Sequence, residues 1–415
     1  MKRGIIIAVT LIAVAIAVYI MMRPRLAEKV YLEGNTLTDS SLFEQALVKY
    51  NKAINLNGKV AEYYNARGFV QSALDKDSLA LADFNTAIEI KPNVDMFHLN
   101  RGKTYRKLKN YNSALEDLNK AITLNDTLAA AYYQRGLLKA TQMDFDGAVA
   151  DYNRSIELDG SNLEAFYSRG ESRAHLNDFM GAIADYDKMI EQAENPALAY
   201  KQRGIFKLKI QDYEGAEKDL EQSLTLANND KEVLFNIGQA KFNLNKIDDA
   251  ISFYNKALKI DSKYDLAYGS RAGAYLKKNN FKLAIQDFTK AIELNSSYQK
   301  AYYGRGISKA LSGDYKGSIS DFSKVIEIAP DFAQAYYNRG VSNAILGNHK
   351  EALPDYDFII VKDSKYAEAY FNRGISRMNT QNEKGACEDF KKAVDLGYKQ
   401  AEPMLKMYCR NAEQQ

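Results

Sequence analysis

Arginine is followed by glycine at evenly spaced points of this sequence, and a row of arginines could grip an anionic ligand. The hexapeptide is AYYNRG at 335–340, with near-copies at 131–136, 165–170, 301–306 and 369–374. An aspartate stands sixteen residues after most of these arginines, as Asp355 does after Arg339. An opposite charge at a constant separation indicates that the arginine's partner belongs to the chain itself.

The spacing of the arginine–glycine pairs is 34 residues or a multiple of 34. With the glycine counted as position 8, eleven consecutive segments, here called repeats one to eleven, cover residues 27–400 without insertion or deletion. They begin at Ala27, Ala61, Asp95, Ala129, Leu163, Ala197, Lys231, Asp265, Gln299, Ala333 and Ala367. Repetition at this period predicts stacked units that share a continuous core.

Each repeat carries two apolar stripes with helical spacing. Position 8 is glycine in ten repeats, position 20 is alanine in ten, and position 24 is always Tyr, Phe or Leu. Positions 4, 8 and 11 form one stripe and positions 20, 24 and 27 form the other, separated by turn-like residues. The pattern predicts an all-α fold in which small residues allow the two helices of a repeat to approach closely.

This pattern resembles the tetratricopeptide repeat, a helix–turn–helix unit of 34 residues. The resemblance implies a right-handed superhelical solenoid over residues 27–400, with the first helix of each repeat on the concave side. It also implies that the protein binds segments of other proteins in the concave groove. Residues 401–415 follow the last repeat, and their apolar residues predict a C-terminal capping helix.

The arginine at position 7 and the aspartate at position 23 should be neighbours, because two antiparallel helices bring together positions with a constant sum. Nine repeats have this pair, among them Arg67–Asp83, Arg135–Asp151, Arg339–Asp355 and Arg373–Asp389. Repeat one exchanges the charges, with Glu33 and Lys49, and repeat seven has Ile237 and Phe253. Residues that change together in this way predict a structural ion pair in each hairpin.

The first 25 residues are predicted to be a separate segment. Residues 4–22 are apolar apart from Thr10, and as a helix they would be about 28 Å long, enough to cross a bilayer. We expect a retained N-terminal transmembrane helix, with a cleaved signal peptide as the alternative. The short basic N-terminus favours an exported, periplasmic-side body, and the arrangement resembles that of bacterial envelope proteins.

Positions 5 and 6 of the first helices are rotated away from the packing stripe and should face the groove. They combine aromatic rings with amides, which suits an extended peptide. The predicted peptide contacts are Asn100, Tyr133, Gln134, Tyr167, Lys201, Gln202, Phe235, Asn236, Tyr303, Tyr337, Asn338, Phe371 and Asn372. The alternative is that the aromatic rings only pack between neighbouring repeats.

Other classes of function find little support in the sequence. The net charge is +3, and Lys2, Arg3, Arg23 and Arg25 account for it, so the near-neutral body lacks the basic surface of a nucleic-acid binder. The three histidines have no ligand spacing, and no catalytic motif is present. We expect no enzyme activity, no metal and no cofactor.

Two expectations complete the sequence-based hypothesis. Cys387 and Cys409 are the two cysteines of the chain, and they form either a disulfide that fastens the cap or two buried thiols. The function best supported is a membrane-tethered interaction scaffold or assembly factor. The alternative is a structural solenoid of the cell envelope that associates with itself and has no peptide ligand.

Overall fold

The computed structural model describes residues 2–409, and of residues 2–9 and 12 it describes the backbone alone. Within this range the chain forms 23 α-helices and one short 3-10 helix, with no strand. The all-α class is thereby confirmed. The chain divides into two compact units, Met1–Ala199 and Tyr200–Gln415, and each is described by itself.

The N-terminal unit contains the first five repeats, with two helices each. Its helices are α1 (Lys2–Asp39), α2 (Phe43–Leu56), α3 (Ala61–Ala73), α4 (Asp77–Ile90), α5 (Asp95–Lys107), α6 (Tyr111–Leu124), α7 (Ala129–Thr141), α8 (Phe145–Leu158), α9 (Leu163–His175) and α10 (Phe179–Gln192).

The C-terminal unit contains the other repeats and the cap, and its first helix begins three residues before the division. Its helices are α11 (Ala197–Lys209), α12 (Tyr213–Leu226), α13 (Lys231–Asn243), α14 (Ile247–Ile260), α15 (Asp265–Lys277), α16 (Phe281–Leu294), α17 (Gln299–Leu311), α18 (Tyr315–Ile328), α19 (Ala333–Ile345), α20 (His349–Lys362), α21 (Ala367–Asn379), α22 (Glu383–Asp395) and α23 (Glu402–Tyr408). The 3-10 helix is Lys399–Ala401.

Within each unit the hairpins stack in chain order. The two helices of a repeat contact each other, the second helix contacts the first helix of the next repeat, and successive first helices also touch. The core runs through the small residues at positions 8 and 20 and the large residue at position 24. In repeat four, a Cβ added to Gly136 would lie 2.6 Å from the ring of Tyr152. Glycine is required there because the ring fills the space of a side chain.

The turn between the helices of a repeat always bends at position 15. This residue has positive φ in all eleven repeats, from 57° at Ser41 to 89° at Gly313. Glycine occupies it in two repeats, and Met143 and Gln211 adopt it with φ of 63° and 64°. The left-handed conformation is costly for residues that have a side chain. The fold of the repeat therefore dictates the backbone conformation at position 15, even for residues that do not favour it.

Helix α1 joins the predicted N-terminal segment to the first repeat without a break, although it contains Pro24. The described side chains from Leu11 to Met22 are exposed, and Met21 keeps 78% of its surface accessible. No helix among the described residues is both long enough and apolar enough to cross a membrane. The predicted transmembrane segment 4–22 falls partly on residues 4–9 and 12, whose side chains lie outside the described part of the chain.

The C-terminal cap is a short helix fastened to the last repeat. Ala401 is fully buried, and Met404 and Leu405 pack on the core around Phe390. A disulfide joins Cys387 on α22 to Cys409, with their Cα atoms 5.6 Å apart. The predicted cap extends to residue 415, and residues 410–415 lie outside the described part of the chain.

Candidate functional site

The arginine at position 7 makes three kinds of contact in most of the hairpins that have it. In repeat two, Arg67 donates to both carboxylate oxygens of Asp83, from Nε at 2.7 Å and from Nη2 at 2.6 Å. Its guanidinium lies 5.7 Å from the ring centre of Tyr64, at position 4 of the same helix. This is the planar, two-point contact that a guanidinium makes with a carboxylate.

The third contact reaches back to the preceding repeat and was not predicted. Arg67 Nη1 donates to the side chain of Asn51, which lies on the second helix of repeat one. The corresponding acceptors in other repeats are Asn85 for Arg101, Asn119 for Arg135, Asn153 for Arg169, Asn255 for Arg271, Thr289 for Arg305, Ser323 for Arg339 and Asp357 for Arg373. Each of these arginines therefore links two repeats. The recurrence of asparagine at position 25 was the signal in the sequence.

Several aspartates at position 23 also take a second cation, from position 11. Asp151 is bound by Arg135 and by Lys139, and Asp389 by Arg373 and by Arg377. The side chains of Asp151 and Asp389 are 5% and 3% exposed. The hydrogen bonds that Arg67 donates to Asp83 raise the pKa of Arg67, and those that Arg339 donates to Asp355 raise the pKa of Arg339. These arginines are committed to internal partners, so they do not form a binding site for an anionic ligand.

The two exceptional repeats preserve a contact between the same positions. Lys49 donates to Glu33 at 2.7 Å in repeat one. In repeat seven, Phe253 packs on the cluster that contains the fully buried Ile237. Because Ile237 cannot link two repeats by hydrogen bonds, Lys241 on the same helix makes the link instead, at 2.5 Å from Glu217 of repeat six.

The predicted aromatic contacts of the last three repeats pack on the second helix of their own repeat and on a ring at its end. The ring of Tyr303 is 5.9 Å from that of Phe322 and 5.1 Å from that of Phe332. Tyr337 lies 5.3 Å from Tyr366, and Phe371 packs in the same way on the repeat's own second helix and its end. The rings are half-buried, so they pack within the stack of helices while part of each ring stays accessible.

The predicted amides Asn338 and Asn372 are bound to these tyrosines. Asn338 Nδ2 donates to the hydroxyl of Tyr303 at 3.0 Å, and Asn372 Nδ2 donates to Tyr337 at the same distance. Burial raises the pKa of Tyr337 to about 12, so its hydroxyl stays protonated at neutral pH. Each amide therefore uses one N–H donor to bind the preceding repeat, and its carbonyl oxygen can accept a hydrogen bond from another partner.

An exposed apolar stripe continues along the same helices beyond the rings. Leu311 on α17 and Ile345 on α19 are 58% and 55% exposed. They stand at position 13, four residues after Ile307 and Val341, and side chains four residues apart share a helix face. The stripe and the ring edges thus form one apolar surface on successive first helices, called here the first-helix face.

The predicted contacts at the start of the C-terminal unit are less accessible. Phe235 belongs to the core with Tyr254, and Asn236 is buried and donates to the carbonyl of Glu232 on its own helix. Lys201 lies between Asp230, at 2.9 Å, and Glu232, at 2.6 Å. Burial alone would lower the pKa of Lys201, but these two carboxylates outweigh it and the pKa is raised. Gln202 is half-buried beside it on α11.

The predicted contacts of the N-terminal unit are also engaged. Tyr133 packs on Tyr152 at 6.0 Å, and Tyr167 packs on Tyr186 at 6.1 Å. Gln134 accepts a hydrogen bond from Arg106 at 3.2 Å. Asn100 is buried and donates to Asn65 on the preceding first helix at 3.0 Å.

A cavity in this unit contains a charge that the sequence analysis missed. Lys103 and Phe69 help to line a space of about 220 Å³ next to Asn100. Burial lowers the pKa of Lys103, as does the charge of Arg106, and Lys103 forms no ion pair with a described residue. The cavity therefore offers an apolar wall beside an unpaired ammonium group.

Metal chemistry has no centre in the part of the chain that the structure describes. No three residues among its His, Cys, Asp and Glu side chains are grouped as metal ligands. His98 instead bridges Asp117, at 3.0 Å, and the carbonyl of Pro92, at 2.9 Å. His175 stacks on Phe145.

Two family models match the chain, and both describe the tetratricopeptide repeat. One matches residues 97–128, 232–264 and 266–298, and the other matches 133–197 and 312–360. Together they account for about half of the sequence. No curated protein sequence matches the chain.

Solved structures of repeat proteins are similar in fold. The C-terminal part of a TPR repeat-containing protein from Cytophaga hutchinsonii is 23% identical over 58% of this chain and 100% of its own, with a TM-score of 0.49. A tetratricopeptide repeat protein from Parabacteroides merdae is 22% identical over 59% of this chain and 97% of its own, with a TM-score of 0.43. Yeast Tom70 is 15% identical over 94% of this chain and 96% of its own, with a TM-score of 0.41.

Proposed function

Because this chain belongs to the tetratricopeptide repeat family, we propose that it is an interaction scaffold or assembly factor that binds an extended segment of a partner protein on its first-helix face. The observation that carries this proposal is the exposed apolar stripe beside the half-buried rings of α17, α19 and α21. The other large apolar side chains of α17 and α19, among them Ile307 and Val341, are partly buried, so Leu311 and Ile345 stand out. An exposed apolar patch on a protein surface is typical of an interaction site.

The polar groups on the first-helix face suit a peptide backbone. Asn338 and Asn372 are fixed in orientation by their hydrogen bonds to Tyr303 and Tyr337. Fixed amides present their remaining donors and acceptors in one direction, which lowers the entropic cost of binding. Apolar side chains of the partner would lie against Leu311 and Ile345, and the amides would bond its backbone.

The experiment compares exposed substitutions that leave the ring packing intact. Leu311→Glu together with Ile345→Glu should remove partner crosslinks in cells, because the apolar contacts are replaced by charge. Val361→Glu is the matched control, since Val361 is 84% exposed on the second helix α20. Crosslinks detected by mass spectrometry that are equal in wild type and double variant would contradict the proposal.

The alternative of a self-associating structural solenoid is tested in the same preparation. Sedimentation of the purified full chain should show a monomer whose mass is unchanged by the double substitution. A dimer or larger assembly that the double substitution dissolves would favour self-association through the first-helix face over a peptide ligand.

We also propose that helix α1 tethers the scaffold to a membrane. Support comes from the exposed apolar side chains between Leu11 and Met22, which have no place in the core of the repeats. The body would lie on the exported, periplasmic side, where an oxidising environment suits the Cys387–Cys409 disulfide. Carbonate extraction of membranes and protease access from each side test tethering and orientation separately.

A further inference from the structure

The wall of first helices in the C-terminal unit has one gap, at helix α15 of repeat eight. Position 5 carries an aromatic ring in repeats seven, nine, ten and eleven, but in repeat eight it is Gly269. Position 9 is Gly273, so this helix lacks a side chain at two successive turns of the same face. A cavity of about 350 Å³ opens at this point between α13, α15 and α17.

The two glycines differ in the space around them. A Cβ on Gly269 would lie 2.8 Å from the ring of Tyr298, which has moved into the vacant place. A Cβ on Gly273 would meet nothing within 4 Å. Glycine is unfavourable inside a helix, and no close neighbour requires it at position 273. Its effect on the structure is to keep the cavity open.

Aromatic side chains form the walls of the cavity. Phe288, Tyr298 and the buried Phe235 line it. Gln239 lines it as well, and the Gln239 side-chain amide makes no hydrogen bond with a described residue. Aromatic rings pair favourably in edge-to-face and offset-stacked arrangements, so a space lined by rings suits an aromatic side chain. A space of about 350 Å³ accommodates one such side chain.

One charged residue lies at the rim of the cavity, next to the space that an aromatic side chain would fill. Lys300 is the single charged residue in the lining, and it is exposed. It forms no ion pair with any residue that the structure describes, unlike Lys201 and Lys231 of the same unit. An acidic residue of the partner would complement it.

We propose that this cavity is a specificity pocket for one aromatic side chain of the partner segment, with an acidic neighbour of that residue placed against Lys300. The proposal rests on the proposed function, because it assigns a chemical preference to one point of the peptide-binding face. A partner would thus be recognised by an adjacent acidic and aromatic pair in an extended stretch of its sequence.

Fluorine NMR tests the pocket with a defined probe. The probe is the peptide acetyl-Gly-Asp-(4-fluoro-Phe)-Gly-amide, whose fluorine signal should broaden when the full chain is added. Gly273→Leu fills the cavity and should weaken binding by about tenfold or more, because the site of the anchoring ring is lost. Gly273→Ala is the matched control, since one methyl group leaves most of the space and binding should persist.

The charge is tested by reversing it on either side. Lys300→Glu should weaken binding of the Asp probe by about threefold, the effect of one exposed pair, and should favour a probe with Lys in place of Asp. Both Gly273 variants should melt at or above the temperature of wild type, because the helix loses a glycine. Equal broadening with wild type and Gly273→Leu, or none with wild type, would overturn the pocket.

The outcome for the pocket is separable from the outcome for the scaffold. If the scaffold is right and the pocket wrong, wild type and Gly273→Leu should crosslink the same cellular partner equally. If the scaffold itself is wrong, the Leu311→Glu and Ile345→Glu chain should crosslink as wild type does. These two results do not depend on each other.

Discussion

At the scale of single residues, the arginine of each arginine–glycine pair is the most connected side chain. Arg339 contacts Asp355 of its own hairpin, Ser323 of the preceding repeat, and the face of Tyr336 at 5.6 Å. A guanidinium can satisfy all three directions at once because its donors are arranged in a plane. The arginine that could have bound an anionic ligand thus connects neighbouring repeats.

Arg339→Asp should lower the free energy of unfolding by about 3–5 kcal/mol, because it leaves Asp355, 1% exposed, facing a second carboxylate. Adding Asp355→Arg should recover part of the loss, as the exchanged pair Glu33–Lys49 in repeat one indicates. Recovery should be incomplete because the reversed arginine does not reach Ser323. Chemical denaturation of the four chains gives the coupling energy, and a value near zero would refute the pair.

The turn residue at position 15 gives a second prediction at this scale. Met143→Gly should raise stability by up to about 1 kcal/mol, because glycine adopts a φ of 63° without strain. Gly347→Ala, at φ of 80°, should lower stability by about the same amount. Thermal melts of both variants test this, and a destabilised Met143→Gly chain would contradict it.

At the scale of elements, each hairpin is closed by a ring placed over a glycine. Gly136→Ala should destabilise by about 1–3 kcal/mol, since the new methyl group would lie 2.6 Å from the Tyr152 ring. Tyr152→Leu should reduce that cost, because repeat three pairs Gly102 with Leu118. Denaturation of the single and double variants measures the coupling. Additive losses would show that the ring does not set the size of position 8.

The junction between repeats six and seven should be the most sensitive to acid. Burial would raise the pKa of Glu217, but hydrogen bonds from Lys241 and Lys246 outweigh it and the pKa is lowered. A carboxylate with a lowered pKa stabilises the fold fully above its unfolded pKa of about 4.3, and the contribution disappears as pH falls through the folded value.

Glu217→Gln should therefore destabilise the chain at pH 6, and the difference from wild type should shrink as the pH falls below about 4.3. The measurement is a series of melts across this range. Glu157→Gln serves as control, because Glu157 is 64% exposed beside Arg154 and should change stability little at any pH. A constant difference between Glu217→Gln and wild type across the range would contradict the assignment.

The hairpin pattern was predictable from sequence because it depends on a strict period and on residue size. Positions 8, 20 and 24 identify the core, and the exchange of Glu33 with Lys49 indicates which charged residues touch. Contacts between repeats were harder to predict, because their partners follow no charge rule. Asn51, Thr289 and Asp357 share a position and an acceptor oxygen but little else.

The accessibility of the predicted site could not be read from the sequence either. Position 5 is Tyr303 in repeat nine, where the ring is half-buried, and Phe235 in repeat seven, where the ring is buried in the core. The ring at the end of the repeat does not decide the difference, because Tyr264 lies 5.2 Å from Phe235 and Phe332 lies 5.1 Å from Tyr303. The difference therefore arises from the packing of neighbouring helices. The cavity at Gly273 likewise depends on two adjacent helices rather than on one.

At the scale of the whole molecule, the cap and its disulfide close the exposed end of the last repeat. Reduction should lower the stability of this end by about 3 kcal/mol, the entropic effect expected for a closed loop between cysteines at a sequence separation of 22. Hydrogen exchange should quicken in α22 and α23. The Cys387→Ala and Cys409→Ala double variant should show the same rates with and without reductant, and a reductant effect on it would contradict this account.

The arginine that reaches back to the preceding repeat bears on how such a chain changes length. Excising residues 95–128 would bring Arg135 opposite Asn85 in place of Asn119, the same acceptor at the same register. Duplication of a 34-residue segment would likewise preserve this contact at the new junction. A gene of this design can gain or lose modules by unequal recombination wherever the repeat after the join carries the arginine, because the new neighbour supplies an acceptor at the same position.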